Sequence, residues 1–171
     1  MLEGYDEIQY FYNIGLSPEG AEYTAIPAVG QLNMPSSPQA ASSAILERDG
    51  RFLLIRRVNP PSMDLFAFPG GRAEPGETPD QTAVREFFEE TGIPVRNPVL
   101  FATYDLKSEK EDRRHFFLSV FRVEADPDAQ AIAADDAADA GWYTVEEIRG
   151  LAVPASVLEC AERLAAEINA R

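Results

Sequence analysis

Residues 85–92 read Arg-Glu-Phe-Phe-Glu-Glu-Thr-Gly, which sets Glu86, Glu89 and Glu90 at positions i, i+3 and i+4. On a helix, residues at that spacing fall within an arc of roughly 100°. Carboxylates held so close raise one another's pKa and cost stability unless a cation sits among them. Hard oxygen ligands select Mg²⁺ or Mn²⁺ rather than zinc, and one His and one Cys in the chain are too few for a zinc site. A solvated acidic helix face would show the same spacing. The segment before it favours the metal reading: Phe68-Pro69-Gly70-Gly71 runs into Arg72-Ala73-Glu74-Pro75-Gly76-Glu77, and its three glycines let the backbone approach a ligand closely.

The helix that must carry these carboxylates is marked at both ends. Thr78 followed by Pro79 and Gln81 supplies an N-cap, a proline where no intrahelical bond is lost, and a capping-box partner. Thr91-Gly92 gives a left-handed stop, with Pro94 beyond it. Ala83, Val84, Phe87 and Phe88 are expected on the side that packs. Upstream, Ala41–Glu47 and Arg51–Arg57 read as strands around Arg48-Asp49-Gly50, a hairpin signal. Asn59-Pro60-Pro61-Ser62 is a loop before a short strand at Leu65–Phe68. Downstream, strands are expected at Val99–Asp105, His115–Glu124 and Gly141–Tyr143, with a charged connection at Lys107–Arg114. Thr144 to Glu147 is a second capping box, and Pro154 opens a last helix with Val157, Ala161, Leu164, Ala165 and Ile168 on its buried stripe. Cys160 shares that stripe and reads as a structural thiol.

The spacing G-x5-E-x7-R-E-U-x-E-E-x-G-U is met at Gly71, Glu77, Arg85, Glu86, Phe87, Glu89, Glu90, Gly92 and Ile93, without a departure. Nine specified positions at fixed spacing resemble the Nudix hydrolase family. Weaker resemblance runs from about Ser42 to the C-terminus. The resemblance implies an α+β fold, the Nudix α/β/α sandwich with a mixed central sheet. It also implies a metal-dependent pyrophosphohydrolase that cleaves a nucleoside diphosphate linked to a further group X. Carried over residue by residue, it makes Glu86, Glu89, Glu90 and the carbonyl of Gly71 ligands of Mg²⁺ or Mn²⁺, and Arg85 an orienting partner for the carboxylates. Bound cations would neutralise developing charge and activate a water, and a carboxylate would take its proton. Which glutamate is that base stays open.

Further site residues follow from the same resemblance. Arg57 closes the strand ahead of the glycine loop and would meet substrate phosphates, with Phe68 beside it; a solvated strand-end arginine is the plainer reading of Arg57. Asp135-Asp136 stand before the last strand, where resembling enzymes carry a distal acid, so Asp136 joins the catalytic candidates; a solvated loop is the alternative. His115, next to Arg113-Arg114, reads as a strand-edge residue. The Arg56–Pro61 run and Asp135–Ala137 lean toward short ADP-ribose-type pyrophosphatases. A house-cleaning nucleoside triphosphate pyrophosphatase and a non-catalytic nucleotide-sensing module are the alternatives.

With 171 residues, 45% hydrophobic, the chain can bury one core. No apolar run reaches the roughly 18 residues of a membrane span, and one Cys allows no internal disulfide, which makes cytoplasm the default location. A net charge of −14 argues against a nucleic-acid polymer as partner and for a small nucleotide that arrives with its metal. Residues 1–40 form a separate extension ahead of a catalytic domain at 41–171. The extension holds Tyr5, Tyr10, Tyr12 and Tyr23 with Phe11. A cover for the core, a homodimer contact, and an aromatic wall beside a nucleobase all suit that composition.

Overall fold

The computed structural model describes residues 38–57, 64–107, 115–131 and 137–170. The extension up to residue 37, the loop at 58–63, the connection at 108–114 and the Asp135-Asp136 pair lie outside the described residues. In chain order the strands are β1 (Gln39–Ile45), β2 (Glu47–Arg48), β3 (Arg51–Arg57), β4 (Phe66–Ala67), β5 (Gly70–Arg72), β6 (Val95–Lys107), β7 (His115–Ala125) and β8 (Ala137–Tyr143). The helices are α1 (Pro79–Thr91), α2 (Val145–Arg149) and α3 (Ala155–Asn169).

Two sheets form. The first runs β5-β1-β7-β6; β1 lies parallel to β7, while β5 and β6 pair antiparallel at its edges. In the second, β3 pairs antiparallel with β8 along one edge and with β2 and β4 along the other. Phe52, Leu53, Leu54 and Ile55 of β3 are all fully buried, as a strand covered on both faces requires. Alternation sends their neighbours to opposite sides. Ile45, Phe52, Leu54 and Val120 pack against Ile148 and against Val157, Cys160, Ala161 and Leu164 of α3. Ala44, Leu53, Phe121 and Val123 pack against Ala83 and Phe87 of α1. Helices thus cover both sides of the sheet layer, the expected α/β/α sandwich, and one of its sheets is mixed.

Several elements differ from the sequence expectation, each for a tertiary reason. The strand expected to run through Glu47 stops at Ile45, because β1 pairs in the first sheet and β2 in the second. The hairpin is therefore β2–β3, turned by Asp49 (φ 52°) and Gly50 (φ 75°), two positive dihedrals in the manner of a type I′ turn. The third strand of the first sheet, expected at Val99–Asp105, begins at Val95 and accommodates Pro98 by a break in register beside Asn97 (φ 55°). An edge strand tolerates the missing proline donor. Likewise β8 begins at Ala137 rather than Gly141; alanines and an aspartate carry no strand signal, and pairing with β3 decides the matter. Phe88, expected to pack, is 51% exposed. It stands about 100° beyond Phe87, on the flank of the helix turned away from Ala83.

Candidate active site

The box helix ends as its sequence dictates. Gln81 Oε1 accepts from the Thr78 N–H at 3.0 Å, and Gly92, with φ 68°, donates its N–H to the Phe88 carbonyl. These stops fix the rotation of α1 and hence what each glutamate meets. Glu90 follows Ala83 by seven residues, so it lies within about 20° of the buried stripe. The residue is only 3% exposed, so the carboxylate arc reaches into the side that packs. The buried carboxylate is engaged rather than stranded: Glu90 Oε2 accepts from the Gly70 N–H at 2.8 Å, and Oε1 lies 3.9 Å from Arg57 Nη1. Arg57 Nη1 also donates to the Gly70 carbonyl at 2.9 Å. One glycine residue therefore ties the end of β3 to the buried end of the carboxylate row.

Arg85 organises the rest. Its Nε and Nη2 grip Glu77 at 2.6 and 2.9 Å, while Nη1 donates to Glu86 Oε1 at 3.0 Å and to Glu89 Oε2 at 2.9 Å. Nη2 also reaches the Arg72 carbonyl at 3.1 Å, linking helix to glycine loop. Glu77 is steadied in turn by the Thr82 hydroxyl at 2.9 Å and the Glu74 N–H at 2.8 Å. Hydrogen bonds from Arg85 hold the Glu77 carboxyl down at about 2. The forked geometry explains why an arginine stands here: a lysine could not hold one carboxylate with two parallel bonds and two others with the remaining nitrogen. Glu77 had no role in the sequence reading; its place in the fixed spacing was the signal.

Gly71 lies against this cluster. A Cβ placed there would fall on the Glu86 carboxylate, so only glycine allows β5 to meet α1 so closely. Burial pushes the Glu86 carboxyl above the usual range, Arg85 pulls it down, and Glu89 pushes it up again. The Arg85 guanidinium stands between two of the three carboxylates of the row and offsets their repulsion. Among the described residues, no three acids stand close enough to hold an ion as arranged. The donor chemistry still fits a divalent cation: every available ligand is oxygen, and a neighbouring backbone has no side chain to block access.

On the opposite side of β5 the environment reverses. A cavity of about 260 Å³ is lined by Arg57 and Arg72, by Leu106, Phe116 and Leu118, and by the backbone of Gly70 and Gly71, with no acidic residue among the described residues on its wall. The Arg72 guanidinium lies 5.5 Å from the centre of the Phe116 ring. Phe68 lines the cavity but is 4% exposed and packs mainly in the α3-side core. Sequence reasoning did not single out Arg72 or Phe116; Arg72 follows the paired glycines at once, and strand alternation was the available clue. His115 pairs with Asp105 on the β6–β7 ladder, away from the carboxylate row.

The Nudix domain model matches residues 37–164, most of the chain, with the box residues and all of the sandwich but the end of α3 inside it. The chain belongs to the Nudix family. An ADP-ribose pyrophosphatase from Methanocaldococcus jannaschii is 35% identical over 115 residues, 67% of each chain. The fold is similar to a MutT Nudix hydrolase from Burkholderia pseudomallei, with a TM-score of 0.67 and 22% identity over 74% of this chain and 97% of that one. It is also similar to part of a bifunctional NMN adenylyltransferase/ADP ribose pyrophosphatase from Francisella tularensis in complex with AMP and a Mn ion. There the TM-score is 0.60 and identity 25%, over 77% of this chain and 42% of the larger protein. The Nudix chain is an enzyme, a hydrolase of the pyrophosphohydrolase kind, and Nudix hydrolases generally use divalent metals.

Proposed function

We propose that this Nudix hydrolase cleaves the diphosphate of a small nucleoside diphosphate-X compound, with ADP-ribose or a nucleotide sugar as the leading substrates. The observation that carries the reading is a cavity with two arginines and no acid among its described lining residues, set across one short strand from a row of carboxylates in a chain of net charge −14. Such a pair of environments places an anion beside oxygen ligands for its counter-cation. Glu86, Glu89, Glu90 and the Gly71 carbonyl would hold Mg²⁺ or Mn²⁺. When bound, the metal supplies charge neutralisation and a water of lowered pKa.

The chain's own residues do the remainder. Arg57 orients the diphosphate from the cavity side. Arg85, anchored on Glu77, sets the rotamers of Glu86 and Glu89. A carboxylate of the row accepts the proton of the attacking water. Asp136 is retained as a candidate distal acid on sequence grounds. A small nucleotide rather than a nucleic-acid polymer suits the acidic chain. No helix among the described residues is long and apolar enough to cross a membrane.

Incubation with ADP-ribose, a nucleotide sugar and nucleoside triphosphates in Mg²⁺, followed by chromatography of the products, tests the reading. The expected result is AMP or another nucleoside monophosphate from the diphosphate-linked compounds. Release of pyrophosphate from triphosphates alone would replace it with the house-cleaning activity.

A further inference from the structure

The register of the first sheet places one apolar row where none of the described helices covers it. Tyr104 stands opposite Leu118, and Leu106 opposite Phe116, so these four side chains share a face. That face meets α3: the Tyr104 hydroxyl lies 3.2 Å from the Cys160 sulfur, and Val120 packs with Val157. The helix begins only at Ala155, and Pro154 and Ser156 edge the cavity. The last row, Leu106 and Phe116, therefore lies at the cavity instead of in the core; Leu106 is 40% exposed. Above Phe116 sits the planar Arg72 guanidinium, delivered from β5 with its backbone one residue past Gly71. An aromatic ring, a flat aliphatic floor and a guanidinium make a surface for another planar ring.

The polar lining limits what this surface can read. Ser42, Ser43 and Ser156 are its hydroxyl-bearing side chains, and no Asn, Gln, Asp or Glu among the described residues borders the cavity. Discrimination between bases needs paired donors and acceptors aimed at the ring edge, commonly an amide or a carboxylate. Stacking alone tolerates any base, because each has a π-face.

We propose that Phe116 and Arg72 form a ring-binding ledge that takes the nucleobase of the substrate by stacking and reads little of its edge. The inference rests on the nucleotide reading above. It assigns the substrate class as nucleoside diphosphate derivatives chosen for possessing a base rather than for which base.

Calorimetric titration of the whole protein with ADP, GDP, CDP and inorganic pyrophosphate, each with Mg²⁺, tests it without relying on turnover. The wild type should bind the three nucleotides within roughly a few-fold of one another and all more tightly than pyrophosphate. Phe116→Leu, which keeps apolar bulk, should weaken ADP roughly tenfold and leave pyrophosphate within about twofold. Arg72→Lys, at an exposed position that keeps its charge, should show the same split. Equal loss of ADP and pyrophosphate in both variants, or a wild-type preference for one base of a hundredfold, overturns the ledge. A melting scan on each variant separates lost stacking from lost folding. If the wild type hydrolyses no diphosphate but ADP affinity still depends on Phe116, the proposed reaction fails and the ledge stands; hydrolysis with unsplit affinities gives the reverse.

Discussion

The two sides of β5 differ sharply in charge, although the strand is three residues long. Gly71 turns its missing side chain toward Glu86, within a cluster that holds Glu77, Glu86 and Glu89 around one arginine. Arg72 reaches a cavity with no acid among its described lining residues. Alternation along a strand puts successive residues on opposite faces, so one edge strand can present an anion-binding wall and a cation-binding wall a peptide apart. Arg57 joins them, since its guanidinium touches the Gly70 carbonyl and lies near Glu90 while also lining the cavity. The difference teaches that the chain does not separate charges by distance. It separates them by a glycine-thin strand.

The comparison breaks most completely if the carboxylate side is emptied. Glu89→Gln and Glu90→Gln are each expected to lower turnover of the best substrate at saturating Mg²⁺ by at least about a hundredfold, the scale of losing charge stabilisation at a reacting centre. Steady-state kinetics near the wild-type rate in both variants would end the metal assignment.

Thickening the strand is the next largest change. A methyl at Gly71 meets the Glu86 carboxylate, so Gly71→Ala should cost about 1–3 kcal/mol and displace Glu86. Denaturant unfolding measures the first, and a smaller melting-temperature rise with Mn²⁺ reports the second.

On the cavity side, Arg57→Gln keeps a donor for the Gly70 carbonyl but removes the charge. KM for the diphosphate substrate should rise about tenfold with a smaller change in kcat, as expected when binding rather than the chemical step is weakened. A fall in kcat alone would move Arg57 from the substrate wall to the carboxylate wall.

The pH dependence of stability isolates Glu77. Its carboxyl titrates at about 2 in the fold against 4.5 ordinarily, so the contribution is present above 4.5 and lost as the pH falls toward 2. Wild type should therefore lose more stability over that interval than Glu77→Gln, which lacks the group; parallel curves would show that the Arg85 clamp adds nothing. The smallest effect belongs to Phe88, outside both walls and half exposed: Phe88→Ser should change stability by no more than about 0.5 kcal/mol and leave KM alone.

Much of this was legible in the residues. Box spacing, the Thr78-Pro79-Gln81 start and the Gly92 stop are local signals, and each acts through a local cause: a cap needs a side chain three residues away, and a left-handed stop needs glycine. Helix periodicity alone then put Glu86, Glu89 and Glu90 in one arc. Depth was only partly legible: periodicity sets Glu90 about 20° and Phe88 about 140° from Ala83, but how much of that arc is covered depends on how α1 meets β1 and β7.

The sequence by itself determined the element types, the helix ends and the cluster of oxygen donors, since those depend on residues a few positions apart. Only the tertiary structure decided that Arg72 and Phe116 share a cavity and that β8 extends back to Ala137. These depend on strand pairing over tens of residues, where the order β5-β1-β7-β6 brings Arg72 near Phe116 across a chain separation that no local pattern encodes.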